Sequence, residues 1–301
     1  MTAQADNRAV VVGVDGSTSA LHAACWAARE AERRGVELRL VHADIWPLVR
    51  HPPVASVPAQ YHQALRDQAE QYLRTAREAV TGLVPGARVT ADLVTGAATE
   101  ALVRESESAA LVVLGSRGLG GFSGLLVGST AVALAAHGHC PVVVVRGPTP
   151  DSPPPQRGPV VVGVDGSPAS DRATEFAFAA AAARGVPLVA AHTWTDTSMG
   201  TVFGLTGVSV DWESLLGEEE RALADHLAVW QSRYPQVEVR ALVTVERPVR
   251  TLLEQSAGAQ LLVVGSRGRG GFAGMLLGST SQAVLHHALC PVAVVRASVP
   301  V

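Results

Sequence analysis

The sequence predicts an α/β chain built of two tandem, doubly wound domains, each a five-stranded parallel sheet in the order 3-2-1-4-5. Three observations carry this. The chain repeats itself at a constant offset, apolar β-branched runs alternate with helix-period segments in each copy, and a Pro-rich stretch lies between the copies. Val10-Val-Val-Gly-Val-Asp-Gly-Ser17 recurs unchanged at Val160 to Ser167. LVVLGSRGLGGFSGLLVGST, from Leu111 to Thr130, returns at Leu261 to Thr280 as LLVVGSRGRGGFAGMLLGST. Cys140 to Arg146 returns at Cys290 to Arg296 with one change. The offset is 150 positions in every case, which marks a duplicated domain.

Within the first copy, Ala9 to Val14 is a continuous β-branched run, as expected of a strand buried on both faces. Ser17 or Ser19 can cap the helix that follows, Ala20 to Arg34, which stops at Gly35. Glu37 to His42 reads as the second strand. Ala59 to Leu83 has helical length and spacing, with Leu65, Ala69, Tyr72 and Leu73 expected on its buried face. Arg88 to Val94 is the third strand, Thr99 to Ser108 a helix, and Ala110 to Gly115 the fourth strand. Ser129 to His137 is the last helix and Pro141 to Val145 the fifth strand. The second copy follows the same order, and strand–helix alternation implies right-handed crossovers and a parallel sheet. The expected domains span residues 1–147 and 159–301. The prolines between them cannot join a helix or a central strand, so 148–158 reads as a stiff, extended linker. Apolar fifth strands would be exposed sheet edges, so the halves are expected to pair through them, with a homodimer of whole chains as a further expectation.

Composition narrows the function. Aromatics are 4% of residues and the net charge is -3, which offers no broad cationic surface for nucleic acid. The opening MTAQADNR lacks the apolar core of a secretory signal, and the apolar runs are far too short to span a bilayer, so a cytoplasmic, non-membrane protein is expected. Three Cys without a CxxC pair suggest neither a disulfide framework nor a zinc site. All 24 basic residues are Arg. The absence of Lys excludes Schiff-base chemistry, the P-loop lysine and the receiver-domain lysine.

In an open parallel sheet, ligands bind beyond the carboxyl ends of the strands where the strand order reverses. For the order 3-2-1-4-5 that point lies between the first and fourth strands. The most repeated segments, Val14-Asp15-Gly16-Ser17 and the loop from Gly115, are the carboxyl ends of those two strands. Gly115, Gly118, Gly120, Gly121 and Gly124 leave a loop whose N–H groups can approach phosphate oxygens. The loop runs into Gly128-Ser129-Thr130 at the start of a helix, where free N–H groups and the helix dipole favour an anion. Gly265, Gly268, Gly270, Gly271, Gly274, Gly278, Ser279 and Thr280 repeat the pattern. For a single Gly-rich loop, plain turns would be the better reading; here the loop, the helix start and the switch point coincide.

These motifs resemble the universal stress protein family, in its tandem ATP-binding form. The family's Gly-x2-Gly-x9-Gly-Ser/Thr pattern matches Gly115, Gly118, Gly128 and Ser129, and again Gly265, Gly268, Gly278 and Ser279. The resemblance covers nearly all of the chain and implies a Rossmann-like, adenine nucleotide alpha hydrolase-like fold. It implies one ATP in each half, with Mg²⁺. Asp15 and Asp165 would lie beside the ribose, phosphates or the ion, with Gly13 and Gly163 allowing close approach. Backbone near Ala43 and Thr193 would meet the adenine. Gly115, Ser116, Arg117, Gly118, Leu119, Gly120 and Gly121, with Gly128 to Thr130, would wrap ribose and phosphates. Gly265, Ser266, Arg267, Gly268, Arg269, Gly270 and Gly271 would do so in the second half, with Gly278 to Thr280.

Each of these residues also has a structural reading. A carboxylate such as Asp15 is often only a strand-to-helix cap, and Arg117 and Arg267 are as readily solvated loop residues. His42, His192, Cys140 and Cys290 read as packed core rather than catalytic groups. The segments Trp46 to Gln60 and Thr195 to Val210 are lids over the site or plain surface loops. No catalytic residue is identified, and no metal ligand set beyond Asp15 or Asp165 beside Mg²⁺. A nucleotide-dependent regulatory or stress-response protein fits best; slow ATP hydrolysis or autophosphorylation, or a scaffold with vestigial pockets, are the alternatives.

Overall fold

A computed structural model describes residues 8–44, 59–119, 127–149, 152–193, 212–270 and 276–297. In the first half the elements run β1 (Val10–Gly13), α1 (Thr18–Arg34), β2 (Leu38–Asp44), α2 (Ala59–Leu83) and β3 (Val89–Thr95). They continue with α3 (Ala98–Glu105), β4 (Leu111–Gly115), α4 (Ser129–His137) and β5 (Val142–Val145). The second half repeats them as β6 (Val160–Val164), α5 (Pro168–Arg184), β7 (Leu188–Thr193), α6 (Trp212–Arg233) and β8 (Val239–Thr244). It ends with α7 (Pro248–Ser256), β9 (Leu261–Gly265), α8 (Ser279–His287) and β10 (Val292–Val295).

The strands form one ten-stranded sheet in the order β3-β2-β1-β4-β5-β10-β9-β6-β7-β8, so each half has the order 3-2-1-4-5. Pairing within each half is parallel. The halves join where β5 and β10 run antiparallel, with Val143 opposite Ala293. These two occupy equivalent places in the repeat, so a pseudo-twofold axis passes through that pair. Central strands are buried throughout, as in VVVV of β5, because helices cover both faces. Two apolar layers result, and each runs unbroken across both halves. One lies under α1, α2, α5 and α6, the other under α3, α4, α7 and α8.

Both faces are also tied across the join. On one, Glu30 of α1 receives Arg34 at 2.7 Å and, from α5, Arg184 at 2.6 Å. Arg34 and Arg184 are repeat equivalents, and each stacks on an aromatic ring of the other half. Arg34 lies 5.3 Å from the Phe176 centroid and Arg184 5.6 Å from that of Trp26. On the other face, Arg146 donates to the Leu285 carbonyl at 2.6 Å and Arg296 to the Gly138 carbonyl at 2.9 Å. Each arginine thus supplies a cation to the carbonyl end of the other half's last helix, where the dipole is negative.

Two expectations need correction. Leu65 is 41% exposed, although Ala69 and Leu73 are buried. At roughly 1.5 Å per residue the long α2 outruns the seven-residue strands beneath it, so its amino-terminal turns have no sheet to cover. The linker is not simply extended. Ser152 donates its N–H to the Thr149 carbonyl at 3.2 Å, and its Oγ accepts the Thr149 N–H at 2.8 Å. Gln156 accepts a hydrogen bond from Arg29 of α1. The two variable segments fall mostly at residues 45–58 and 194–211, outside the described residues.

Candidate functional site

A cavity of about 550 Å³ opens at the carboxyl ends of β1 and β4, and one of about 590 Å³ lies at the equivalent place between β6 and β9. Both fall within the size range of small-molecule sites. The first is walled by Gly13, Asp15, Ala43, Gly115, Arg117, Gly118, Gly128, Ser129 and Thr130. The second is walled by Gly163, Asp165, Thr193, Gly265, Arg267, Gly268, Arg269, Gly270, Gly278, Ser279 and Thr280. Segments about 100 residues apart therefore converge as the strand order requires.

The local chemistry that builds the rim centres on Asp15. Past the end of β1 the chain turns through Gly16, whose φ of +90° suits glycine and disfavours other residues. Ser17 then caps α1, accepting the Ala20 N–H at 3.1 Å. Asp15 Oδ1 accepts from the Ser17 N–H and Oγ–H at 3.0 and 2.7 Å, and Oδ2 accepts the Leu119 N–H at 3.0 Å. Asp165 repeats this toward Ser167 and Arg269, at 2.9 and 3.1 Å. The carboxylate is a staple between the first strand and the glycine loop. It explains why Gly118 and Gly268 are glycine: a Cβ at either would collide with that carboxylate. Gly115 packs as tightly, since a Cβ there would lie 2.6 Å from the Ser19 carbonyl carbon.

The far wall is a helix end. Gly128 and Gly278 are the N-caps of α4 and α8, and neither start receives a side-chain cap. The first N–H groups of both helices face the cavity with the positive end of the dipole, beside the hydroxyls of Ser129, Thr130, Ser279 and Thr280. That donor set suits a phosphate. His42 and His192 hold their Nδ1 at 2.7 Å from the Val14 and Val164 carbonyls, which orients each ring at the cavity wall.

Some expected residues lie elsewhere. Ser116 and Ser266 are buried behind the loop, and their carbonyls accept the Gly128 and Gly278 N–H groups at 2.8 Å. The Leu119 side chain is exposed, and only its N–H serves the site. Gly120, Gly121 and Gly271 fall outside the described residues. The sequence reading missed Ala98, Leu102, Leu114 and Ala131, and their counterparts Pro248, Leu252, Val264 and Ser281. Apart from Ser281, these form an apolar floor beside α3 and α7, where an aromatic base could be held. The step from the third strand into α3 sits at the same sheet rim, and that was the available signal.

Among the described residues no group of three or more His, Cys, Asp or Glu is placed to hold a metal ion, and no helix is long and apolar enough to cross a membrane. Comparison with known proteins places the chain. The model of the universal stress protein family matches residues 6–146 and again 157–296. Universal stress protein Rv2005c of Mycobacterium tuberculosis is 43% identical over 294 residues, covering 96% of this chain and 97% of that one. Universal stress protein Rv1996 of the same organism is 41% identical over 317 residues, covering 98% and 97%. A crystal structure of a universal stress protein from Archaeoglobus fulgidus superposes with a TM-score of 0.68 at 20% identity, covering 96% of both chains. This chain belongs to the universal stress protein family and carries two of its domains in tandem.

Proposed function

We propose that each half binds one ATP and that the chain acts as a nucleotide-dependent regulator in a stress response. The observation that carries this is the uncapped amino terminus of α4 facing a cavity of about 550 Å³ beside a glycine loop whose start is tied to Asp15. The phosphates would take the N–H groups and hydroxyls of Ser129 and Thr130, just past Gly128, where dipole and donors favour negative charge. The adenine would lie at the end of β2 near Ala43, over the apolar floor. In the second half, Ser279, Thr280 and Thr193 take the same parts. Bound Mg²⁺ would neutralise phosphate charge. It would arrive on the phosphates, with Asp15 or Asp165 as the nearby carboxylate, since each already accepts loop N–H groups. The chain has no lysine, and Asp15 and Asp165 already accept loop N–H groups, so binding rather than turnover is the activity proposed.

The test is calorimetry of ATP and Mg²⁺ into nucleotide-stripped protein, with GTP as a control on the base. Two ATP per chain are expected. Gly128→Asp and Gly278→Asp together should abolish binding without unfolding the protein. Aspartate is a good N-cap in the extended backbone those glycines already adopt, and it both occupies the N–H groups and repels phosphate. Unchanged heats in that double variant would overturn the placement.

A further inference from the structure

The two cavities differ at several wall positions, and the difference that carries charge lies on the loop side of the rim. Leu119 of the first half is 61% exposed and does not line its cavity, whereas its repeat equivalent, Arg269, lines the second. A paired exchange on the neighbouring helix makes room for the guanidinium. In the first half the Tyr72 ring of α2 packs on Gly16 so closely that a Cβ there would collide with it. The equivalent of Tyr72 in α6 is Ala222. The vacated space over Gly166 is taken by the Arg269 guanidinium, which a Cβ at Gly166 would strike. The Arg269 backbone N–H is meanwhile held by Asp165 at 3.1 Å, which anchors the residue at the carboxyl end of β6. Arg269 forms no ion pair with any described residue.

We infer that the second cavity discriminates phosphate charge more steeply than the first, with Arg269 as the specificity-determining residue. The inference rests on the nucleotide reading above. A guanidinium at the rim adds a planar pair of donors and a full positive charge to the helix end already present. Affinity at that cavity should therefore climb with phosphate number from AMP to ATP, and the climb should flatten with salt because the group is solvent-accessible. At the first cavity, where the exposed Leu119 stands instead, the rim offers no such increment. Both halves take ATP, and the second favours the triphosphate over the monophosphate by the wider margin. The first half keeps the helix end and Arg117 without that second guanidinium, so its preference for ATP over AMP is shallower.

The experiment uses the full chain and isolates each site by closing the other, with Gly128→Asp or Gly278→Asp. ATP, ADP and AMP are titrated at low and at physiological salt. The second cavity should show a steeper ATP-over-AMP preference than the first. Arg269→Leu should lower that preference by roughly three- to tenfold, the range for a charge-assisted contact at a partly solvated site. Leu119→Arg with Tyr72→Ala should raise it at the first cavity. Equal preferences at the two cavities, or an Arg269→Leu variant that weakens ATP and AMP alike, would overturn the inference while leaving nucleotide binding intact. Absence of any ATP binding in the unmodified protein would remove the nucleotide reading itself, and this inference with it.

Discussion

Glu30 and Arg184 meet across the join between the two halves, Oε2 to Nη2 at 2.6 Å, with side chains only 1% and 3% exposed. The repeat equivalent of Glu30 is Ala180, whereas Arg34 and Arg184 are equivalents of each other. A single carboxylate therefore sits between two symmetry-related guanidiniums and breaks the pseudo-twofold. Removing one partner of a buried pair leaves an uncompensated charge and costs about 3–5 kcal/mol. Glu30→Ala should lower the denaturation midpoint accordingly. Adding Ala180→Glu should restore most of the loss, because the pseudo-twofold places the new carboxylate between the same arginines. Failure of the second change to rescue would mean that shape at Glu30, rather than charge, holds the join.

The same carboxylate gives a pH signature. Burial by itself would raise its pKa, but Arg184, Arg34 and the hydrogen bond from Arg34 outweigh that and hold it below the ordinary carboxylate value. A depressed folded-state value means a contribution present above the unfolded pKa, about 4.3, and lost as pH falls through the lower folded one. Denaturation of the wild type and Glu30→Gln across pH 3 to 7 should show the widest gap at neutral pH, closing in acid. A gap independent of pH would assign the stabilisation to packing.

The glycines of the site separate into two kinds. Gly115→Ala would place its Cβ 2.6 Å from backbone of Ser19, which α1 can relieve only by moving. A loss of about 1–3 kcal/mol is expected. Gly270 has no atom of the described residues within 4 Å of a would-be Cβ, so Gly270→Ala should melt like the wild type. Thermal unfolding of the two variants side by side checks both.

Asp15 acts on the loop more than on the core. Asp15→Ala removes the acceptor of the Leu119 N–H, and Asp165→Ala that of the Arg269 N–H. Hydrogen exchange should quicken at those amides and along the glycine loops, while strands β1 and β6 keep their protection. Uniform loss of protection would instead make the aspartates pillars of the whole half.

Burial pushes the Cys140 and Cys290 thiols up to about 12. Native protein at pH 8 should leave both unmodified by a thiol reagent, since the thiolate is the reactive form. Reaction at either before unfolding would show that the sheet–helix packing around them opens.

Most of the architecture was legible in the residues. The runs at Val10 and Leu111 announced strands buried on both faces, and the 150-residue offset announced the duplication. The pairing of β5 with β10 followed from two apolar edges that nothing else in either half could cover. The glycine pattern located the loop because close approach leaves no room for Cβ atoms, as Gly115 and Gly118 illustrate. What was not legible came from side chains meeting across the fold. Glu30 reads as an ordinary acidic helix residue, because its partner Arg184 is supplied by the other half. Leu65 read as core from periodicity alone, which cannot reveal where the sheet beneath a helix stops. From sequence Asp15 reads as a helix cap or a ligand contact, because its bond to Leu119 depends on the loop's path.

Because β5 and β10 run antiparallel, the strands of the two halves point in opposite directions. The carboxyl ends of β1 and β4 therefore emerge on one rim of the sheet, and those of β6 and β9 on the other. The molecule is double-ended: its two mouths face away from each other on one continuous sheet. Whatever enters one mouth therefore leaves the approach to the other unobstructed.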